Sequence, residues 1–418
     1  MKVKYFFDGS NRIIEMENNA EILEPIAVEN KDSFKVLSEA LSNPLNSLGY
    51  DEFLEDKKKI LIIVNDGTRP TPTAQVLSFL EEKLKNKVVT ILVATGTHRA
   101  MEDFEKKKIL GQSYNILKNC IVSHDSKNKE RLVYIGKSRN STELFINKAV
   151  YENDGVIVIG SVEPHYFAGY TGGRKSIMPG IAGFVSIEMN HKLALSEEAR
   201  VLNLESNPVH QDMMDTLNYL KDVEIFSIQV AMDKNHNVYS AFSGNINESF
   251  YKAVEVARKI FAVPIKEKAD IVVTVAKDPM DINFYQSQKA LDNAKFALKE
   301  NGIIILVSAC KEGIGSEAFY DLMVQAKSPN AVLGNIKKNY KLGYHKSGKI
   351  AQILLNTNVF VVSSLENKIF SDIFFQPFKS LEEALAVAYL KKGLNSKVIF
   401  MVDGGITVPE VNDKFISS

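Results

Sequence analysis

Short runs of valine, isoleucine and leucine alternate along the chain with longer amphipathic segments. Each run is bounded by polar, charged or glycine residues, as expected for strands that are buried in a parallel sheet. The strands predicted in this way cover residues 60–65, 88–94, 155–160, 225–231, 270–276, 302–308, 359–363 and 397–402. Apolar residues with helical spacing predict helices over residues 73–85, 248–261 and 381–390. This alternation predicts an α/β fold with mainly parallel sheets.

The length of the chain, 418 residues, exceeds what one ordinary hydrophobic core covers, so we expect two α/β domains. A predicted helix ends before Pro264, and the charged residues 266–268 precede the next strand. We therefore expect an N-terminal domain over 1–265 and a C-terminal domain over 266–402, with the tail 403–418 packing back on the N-terminal domain. A cleft between two domains is the usual place for a ligand, so we expect an interdomain active-site cleft.

Composition narrows the function classes. Lysine and arginine (51) balance aspartate and glutamate (51), so the basic excess of a nucleic-acid-binding protein is missing. Cys120 and Cys310 stand outside any disulfide or zinc-binding spacing and are expected to be buried free thiols. The N-terminus has no apolar signal segment, and the apolar runs are too short to span a membrane. We expect a cytoplasmic protein with no membrane or nucleic-acid partner.

The first candidate loop, DGTRPTPT, follows the strand predicted at 60–65. Loops at the carboxyl ends of parallel strands are where such sheets bind ligands. Asp66 and Arg69 lie in this loop, and Thr73 can cap the helix that follows. A helix N-terminus beside an arginine can hold a phosphate or carboxylate. The same residues also suit a simple turn with a local Asp–Arg pair, and the sequence leaves both interpretations open.

The second candidate loop, ATGTHR, also follows a predicted strand and carries His98. Because the pKa of histidine lies near neutral pH, a histidine in this position can act as a general acid or base. The alternative is a solvated loop histidine without a catalytic role.

The third candidate loop spans residues 160–183 and combines glycines with His165, Arg174 and Lys175. Gly172 and Gly173 allow the backbone to approach a bulky ligand closely. The spacing does not match a Walker phosphate loop, because the residue before the lysine is arginine and not glycine. A GxGxxG dinucleotide fingerprint is also missing. A purely structural glycine loop is the alternative.

Further polar residues fall on predicted helices. His191 lies near the start of one, where it is either a structural residue or a metal ligand. Tyr285, Gln286 and Lys289 belong to the sequence YQSQK, and positions three and four apart share one face of a helix. This face is either part of a site or an ordinary exposed polar face.

Together and in this order, the segments DGTRPTP, TGTHR, HYFAGYTGGRKSIMPG, the pair Asn190–His191 and YQxxK resemble the lactate racemase family, which carries a nickel-pincer nucleotide. The resemblance covers residues 66–320. Each segment alone is a modest signal, but five separated segments are not expected to agree by chance.

The resemblance implies specific roles. Lys175 matches the lysine that is linked covalently to the cofactor, Ni(II) pyridinium-3,5-bisthiocarboxylic acid mononucleotide. His191 matches the protein ligand of the nickel, and His98 and His165 match the acid/base histidines. The residues that match cofactor-binding positions are Asp66, Arg69, Gly172, Gly173 and Tyr285. The residues that match substrate-binding positions are Arg69, Gln286 and Lys289.

The implied reaction is racemisation or epimerisation of a small 2-hydroxy acid such as lactate or malate. The hydrogen on the carbinol carbon is too weakly acidic for a histidine to remove as a proton, so a hydride acceptor is needed, and two histidines then serve the two enantiomers. Separate cofactor-biosynthesis proteins are implied as maturation partners. The alternatives are an NAD-dependent 2-hydroxyacid dehydrogenase, which the missing fingerprint disfavours, and a non-catalytic phosphate- or metabolite-binding protein.

Arg174 adds a positive charge beside the implied anchor lysine. Two expectations follow for this residue. It contacts the phosphate of the cofactor, or it selects a substrate with a second carboxylate.

Overall fold

Strands and helices alternate along the chain in the computed structural model, which describes residues 1–16 and 20–411. The strands are β1 (Lys2–Phe7), β2 (Ser10–Glu15), β3 (Ala20–Leu23), β4 (Lys59–Asn65), β5 (Val88–Ala94), β6 (Ile121–Ser123), β7 (Leu132–Lys137), β8 (Glu143–Asn147), β9 (Gly155–Ser161), β10 (Pro164–His165), β11 (Gly169–Tyr170), β12 (Ile225–Met232), β13 (Val238–Gly244), β14 (Ala262–Ile265), β15 (Ala269–Val275), β16 (Leu298–Val307), β17 (Asn358–Val362), β18 (Gln376–Phe378), β19 (Val398–Met401) and β20 (Val408–Val411).

The helices are α1 (Ser33–Ser42), α2 (Tyr50–Leu54), α3 (Thr73–Leu84), α4 (Asp103–Leu110), α5 (Tyr114–Leu117), α6 (Phe184–Lys192), α7 (Pro208–Tyr219), α8 (Ile246–Phe261), α9 (Phe284–Ala294), α10 (Glu317–Gln325), α11 (Pro329–Lys338), α12 (Tyr344–Leu354), α13 (Asn367–Ser371) and α14 (Leu381–Lys392). Every strand and helix predicted above is present, with ends that differ by a few residues. The predicted α/β fold is confirmed.

The chain divides into two compact units. The central unit is Ala27–Ile260, and the terminal unit combines Met1–Ile26 with the chain from Phe261 onward. The chain passes from the central unit back to the terminal unit between Ile260 and Phe261, close to the boundary expected at residue 265. It differs from the expected N-terminal domain because the first 26 residues belong to the terminal unit.

The sheet of the central unit has the strand order β13-β12-β9-β4-β5-β6. Neighbouring strands are parallel except β12 and β13, which form an antiparallel pair. Alternate residues of β4 enter hydrophobic clusters on opposite faces, with Ile60 and Ile62 in one cluster and Leu61 and Ile63 in the other. Because both faces are covered, β4 reads in the sequence as a continuous apolar run.

The sheet of the terminal unit has the strand order β18-β17-β16-β15-β19-β3, and all its neighbouring strands are parallel. Strand β3 pairs with β19, and the hairpin β1–β2 contributes Val3, Tyr5 and Ile14 to the core under this sheet. These backbone hydrogen bonds and apolar contacts explain why residues 1–26 belong to the terminal unit. Sequence patterns near the N-terminus do not reveal a pairing partner so far along the chain.

The described part of the tail forms strand β20, which pairs in parallel with β14. Strand β14 contains the last residues of the N-terminal domain expected over 1–265, and both strands belong to the terminal unit. Residues 412–418 of the expected tail lie outside the described residues.

Two smaller expectations concern the thiols and the membrane. Cys310 is a buried free thiol, as predicted, whereas Cys120 is partly exposed. Among residues 1–16 and 20–411, no helix combines the length and the apolar character that crossing a membrane requires.

Candidate active site

Three loops meet at one edge of the central sheet. Strands β9, β4 and β5 are adjacent and parallel, so their carboxyl ends lie side by side. The loops that leave these ends are the three that the sequence singles out, and the strand order is what brings them together. The site that they form in the central unit is therefore built from segments far apart in the sequence.

Each of the three loops is hydrogen-bonded to the other two. The hydroxyl of Thr71 in the first loop lies 2.8 Å from the hydroxyl of Ser161 at the end of β9. The backbone N–H of Gly96 in the second loop donates to the carbonyl of Gly180 in the third at 2.9 Å. His98 of the second loop is hydrogen-bonded to Asp66 of the first. These bonds fix the loops as one assembly.

His98 and Asp66 form the clearest chemical pair in the site. His98 Nδ1 lies 2.7 Å from Asp66 Oδ2, and Thr68 donates to Asp66 Oδ1 from its backbone N–H (3.1 Å) and its hydroxyl (2.6 Å). Burial raises the pKa of Asp66, but the hydrogen bond and charge of His98, with contributions from Thr68 and Arg69, lower it more, so the pKa ends below its usual value.

The ionised carboxylate decides the tautomer of His98. A carboxylate only accepts hydrogen bonds, so His98 Nδ1 carries the proton and Nε2 of the neutral ring keeps a lone pair. The side chain of His98 is 57% exposed, while that of Asp66 is 9% exposed. This arrangement, a buried carboxylate that orients an accessible imidazole, suits a general base.

Arg69 lies in the same loop, partly exposed, and its backbone N–H donates to the carbonyl of Asp66 at 3.2 Å. Its charge is near enough to contribute to the lowered pKa of Asp66. The first loop is therefore more than a turn closed by a local Asp–Arg pair, because Asp66 bonds to His98 of the second loop.

His165 is held in the opposite way, by the backbone of its own loop. Strands β10 and β11 form a short hairpin in which His165 pairs with Gly169. His165 is 6% exposed, and its Nδ1 accepts the backbone N–H of Ala168 at 3.2 Å. Because a backbone N–H can only donate, Nδ1 acts as the acceptor, and the proton of the neutral ring is on Nε2.

Phe167 links His165 to His191. Its ring centroid lies 4.7 Å from that of His165 and 5.1 Å from that of His191. The backbone carbonyl of Phe167 accepts a hydrogen bond from Asn207 Nδ2 at 2.9 Å, and Asn207 also caps helix α7. His191 lies on α6, on the helix that the sequence predicts, and the aromatic contact brings it next to the His165 hairpin.

Gly172 and Gly173 occupy positions where a side chain does not fit. Both have left-handed backbones, with φ of 80° and 50°. A Cβ on Gly172 would lie 2.5 Å from Val162, and one on Gly173 would lie 2.8 Å from Phe250. The N–H of Gly173 donates to the buried side chain of Gln229 at 2.7 Å. The glycines thus let the chain turn tightly after β11, where it packs against the end of β9.

Lys175 follows directly, within a 3-10 turn over Gly173–Ser176. Its backbone N–H donates to the carbonyl of Gly172 at 3.0 Å, and its side chain is partly exposed. The flanking residues Arg174 and Ser176 are each 1% exposed. Lys175 is therefore the one side chain of this turn, among the described residues, that has access to solvent.

Arg174 was expected to contact the cofactor phosphate or to select a substrate carboxylate, but its side chain is bonded inside the protein. Its guanidinium is 1% exposed and donates to the carbonyls of Ala168, Thr171 and Gly172 and to His210 Nδ1, at 2.9–3.1 Å. A side chain that is buried and bonded in this way is not available to select a substrate carboxylate. The sequence could not reveal this, because an arginine beside a lysine reads equally well as a ligand contact.

Tyr285, Gln286 and Lys289 lie in the terminal unit, on helix α9 as predicted. The N-terminal turn of α9 is capped by Asn283, whose side chain accepts the N–H of Gln286 at 3.0 Å. Lys289 Nζ lies 3.3 Å from the sulfur of Met280. Gln286 and Lys289 are partly exposed.

Tyr285 is held by a lysine that the sequence analysis missed. Lys346 of α12 is 4% exposed, donates to the carbonyl of Tyr285, and lies 3.7 Å from the centre of its ring. Burial raises the pKa of Tyr285 to about 12, so its hydroxyl stays protonated. Nothing in the sequence around Lys346 distinguishes it from a surface lysine.

Other buried residues that support the third loop were also missed. Three lie outside the loop and form hydrogen bonds with it: Gln229, Asn207 and His210. The fourth, Thr171, lies in the loop, and its hydroxyl accepts the N–H of Glu163. Of these, only Asn207 has a signal that could have been recognised, since asparagine followed by proline is a typical helix start. Among residues 1–16 and 20–411, no cluster of three or more His, Cys, Asp or Glu side chains could hold a metal ion.

Known proteins of one family are similar to this chain over most of its length. Residues 8–202 match the lactate racemase N-terminal domain, and residues 265–408 match the lactate racemase C-terminal domain. The chain is 35% identical over 381 residues to a lactate racemase of Thermoanaerobacterium thermosaccharolyticum, with 88% of each chain covered. It is 31% identical over 382 residues to a lactate racemase of Lactiplantibacillus plantarum, covering 88% of this chain and 89% of that one.

Two solved structures resemble the fold. The lactate racemase apoprotein from Thermoanaerobacterium thermosaccharolyticum superposes with a TM-score of 0.91 at 30% identity, covering 98% of this chain and all of that one. A protein from Thermotoga maritima superposes with a TM-score of 0.69 at 18% identity, covering 91% and 98%. The second likeness concerns the fold alone. The domain matches and the two relatives over 30% identical confirm the resemblance found in the sequence, and the chain belongs to the lactate racemase family of isomerases.

Proposed function

We propose that the protein interconverts the enantiomers of a small 2-hydroxy acid, lactate or a related acid such as malate. The observation that carries the proposal is the assembly at the edge of the central sheet. It combines an Asp66–His98 pair, a second histidine at 165 and a partly exposed lysine at 175, on loops that are bonded to one another.

The residues around Lys175 fit a large bound group. Gly172 and Gly173 leave the backbone bare, and the hydroxyl of Ser176 is buried without a hydrogen-bond partner among the described residues. Asn190, beside His191, is fully buried and its Oδ1 also has no partner within the described part of the chain. Buried polar atoms of this kind call for a ligand or water. Each is adjacent in sequence to a residue that would hold the group, Ser176 to Lys175 and Asn190 to His191.

We propose that this group is a nickel-pincer nucleotide that is attached covalently to Lys175. Lys175 supplies the amine for the attachment, and His191 supplies an imidazole, which is a common nickel ligand. Gly172, Gly173, Asp66, Arg69 and Tyr285 are the further residues that we expect to contact it. When bound, the group supplies the hydride acceptor that inversion at the carbinol carbon requires.

His98 is proposed to take the proton of the substrate hydroxyl. Its Nε2 holds a lone pair because Nδ1 is bonded to Asp66, and the carboxylate stabilises the imidazolium that forms. The 57% exposure of His98 leaves the ring accessible to a substrate. His98 thus resembles other catalytic imidazoles that a buried carboxylate orients.

His165 is the second proposed acid/base residue, acting on the substrate oxygen when the planar keto acid presents its other face. Its burial and its contact with Phe167 hold the ring in one orientation. Arg69, Gln286 and Lys289 are proposed to bind the substrate carboxylate through charge-assisted hydrogen bonds.

The test is an assay of cofactor-loaded protein with enantiopure lactate, malate and other 2-hydroxy acids. We expect loss of optical rotation with at least one acid, and no loss with protein made in cells that lack the cofactor-biosynthesis proteins. Intact-mass measurement should show the cofactor on the wild type and not on Lys175→Ala or Lys175→Arg. Arginine keeps the positive charge, so it controls for charge alone.

The alternatives give different results in the same experiments. A dehydrogenase would bind free NAD tightly and oxidise one enantiomer. A binding protein would leave the optical rotation of every acid unchanged. A Lys175→Ala variant that still carried the cofactor would disprove the attachment.

A further inference from the structure

Arg174 is an unusual cation because almost all of its hydrogen-bonding capacity is used inside the protein. Its Nη1 donates to the carbonyls of Thr171 and Gly172, both at 3.1 Å, and its Nη2 donates to the carbonyl of Ala168 at 2.9 Å. Its Nε donates to His210 at 2.9 Å. Only the planar fork of arginine can serve so many acceptors at fixed angles.

The three carbonyls belong to the segment that joins His165 to Lys175. Beyond the short β10–β11 hairpin, this segment turns at Gly169 and Gly172, whose backbones are left-handed. The guanidinium binds the carbonyl of Thr171 and adds a second hydrogen bond to the carbonyls of Ala168 and Gly172, which also accept the N–H groups of Tyr170 and Lys175. Arg174 therefore fixes the path of the chain from the second histidine to the anchor lysine.

His210 on α7 holds the guanidinium in turn. Its Nδ1 accepts from Arg174 Nε, and its Nε2 lies 3.3 Å from the hydroxyl of Tyr251. Burial and the charges of Arg174 and Arg139 lower the pKa of His210 to about 2, so it is neutral and able to accept this bond. The guanidinium also lies over the ring of Phe250, whose centre is 4.1 Å from the guanidinium carbon.

Ala168 connects this arrangement to His165. The carbonyl of Ala168 accepts from Arg174 Nη2, and its N–H donates to His165 Nδ1. A chain of contacts therefore runs from His210 through Arg174 and Ala168 to the imidazole of His165. If Ala168 shifted, His165 would lose the donor that keeps the ring proton on Nε2.

We propose that Arg174, held by His210, is a positioning residue that sets the tautomer of His165 and the backbone of Lys175. This proposal deepens the proposed function and rests on it. Arg174 acts through the loop and touches neither substrate nor cofactor.

The consequence is that the two proposed catalytic histidines start in complementary states. His98 presents a lone pair at Nε2, because Nδ1 donates to Asp66, whereas His165 presents an N–H at Nε2, because Nδ1 accepts from Ala168. The two rings therefore carry their protons on different nitrogens, and of their two Nε2 atoms that of His98 has the lone pair. For the roles to exchange, His165 must move its proton to Nδ1 and break the bond from Ala168.

The first experiment measures the tautomer directly in the apoprotein. Histidine labelled with ¹⁵N gives distinct ring-nitrogen shifts for the two neutral tautomers, and His165→Gln identifies the His165 signals. We expect a single Nε2–H tautomer in the wild type and a mixture of tautomers in Arg174→Lys, which keeps the charge but has one donor group in place of the fork. Because no cofactor is needed, this result does not depend on whether the proposed racemase activity is found.

The second experiment measures attachment at Lys175 by intact mass after maturation. We expect Arg174→Lys to lower the fraction loaded by roughly 10- to 100-fold, as for partners that orient a ligand-binding residue indirectly. Arg139→Lys is the matched control, since Arg139 forms a bidentate pair with Asp215 in the same unit but has no contact with the loop. It should lower the melting temperature and leave the tautomer and the loading unchanged.

A conservative pair of His210 variants guards against simple unfolding. His210→Gln keeps an acceptor for Arg174 Nε and should retain the Nε2–H tautomer and the loading, whereas His210→Leu removes the acceptor and should lose both. The inference is overturned if folded Arg174→Lys, or folded His210→Leu should Arg174→Lys fail to fold, keeps the wild-type tautomer. A wild type that never loads cofactor or racemises any acid would instead defeat the proposed function, and the tautomer signals would still decide the role of Arg174.

Discussion

The loop of His98 and the loop of His165 lie side by side at one sheet edge, yet they hold their histidines by different means. His98 is 57% exposed and is oriented by one side chain, the carboxylate of Asp66. His165 is 6% exposed and is oriented by a backbone N–H in a loop that Arg174 fixes. The first arrangement depends on a single contact, while the second is distributed over many.

This difference determines what a mutation does. Removing the contact in the first loop should change the chemistry of His98 and leave the fold intact. Changing the third loop should disturb packing and stability first, since its backbone is buried among glycines and polar contacts.

Asp66→Asn should lower kcat of the loaded enzyme by roughly 10³- to 10⁴-fold with little change in folding. An amide can donate to His98 Nδ1 and favour the wrong tautomer, as in other carboxylate–histidine pairs. Racemisation kinetics provide the measurement. Asp154→Asn is the control, because Asp154 accepts from the N–H groups of Lys58 and Lys59 near the amino ends of β4 and β9, away from the site. Activity of Asp66→Asn within tenfold of the control would contradict the role of Asp66.

Gly172→Ala should reduce the free energy of unfolding by about 3 kcal/mol or more, or prevent folding. The added Cβ would meet Val162 at 2.5 Å and the carbonyl of Ser161 at 3.0 Å, at a backbone φ of 80°. Gly67→Ala in the first loop is the matched change, since its Cβ would meet only Glu105 at 3.8 Å. We expect its effect to stay within about 0.5 kcal/mol. Denaturant titration of both apoproteins measures the difference, and equal effects would remove the contrast between the loops.

Acid should destabilise the protein through His210. Its pKa is lowered from 6.5 to about 2 in the folded chain, so the unfolded chain binds the proton more readily as the pH falls. The free energy of unfolding should therefore fall by about 1.4 kcal/mol when the pH is lowered from 7.5 to 5.5. His210→Gln should flatten this part of the pH profile of unfolding.

The exposed His236 offers the control for that measurement. Its backbone is left-handed, with φ of 64°, and asparagine tolerates this conformation. His236→Asn should keep the pH dependence of the wild type. A His210→Gln profile that parallels the wild type would show that His210 does not carry the acid sensitivity.

Gly96→Ala, in the loop of His98, should cost only about 1 kcal/mol. Gly96 also has a left-handed backbone, with φ of 56°, but a Cβ there would lie at an ordinary distance of 3.5 Å from the carbonyl of Pro179. The penalty is therefore conformational and not steric. Gly96→Asn should cost less than Gly96→Ala in the same unfolding experiment, and the reverse order would point to a clash.

The sequence predicted the parts of this molecule that depend on local patterns. Strands such as β4 and β5 are mostly apolar, and a parallel sheet puts Asp66 and His98 in the loops at their carboxyl ends. That the two side chains are bonded follows only from the pairing of β4 with β5. The roles assigned to His165 and Lys175 came from resemblance to a family and stay predictions.

Long-range contacts account for what the sequence did not predict. Arg174 was expected to meet a ligand, but its partners include His210, which lies on a later helix. Gln229 bonds to Gly173 from the middle of β12. In each case the residue type is compatible with a surface position, and only the tertiary structure shows that it is buried.

The pairing of β3 with β19 has a consequence for how the chain is made. β3 leaves the ribosome long before β19, because most of the described chain lies between them. The central unit is complete once its own residues have emerged, whereas the terminal sheet must wait for β19. During synthesis the hairpin β1–β2 therefore exposes Val3, Tyr5 and Ile14 until the terminal sheet forms, and it is the segment where we expect a chaperone to bind.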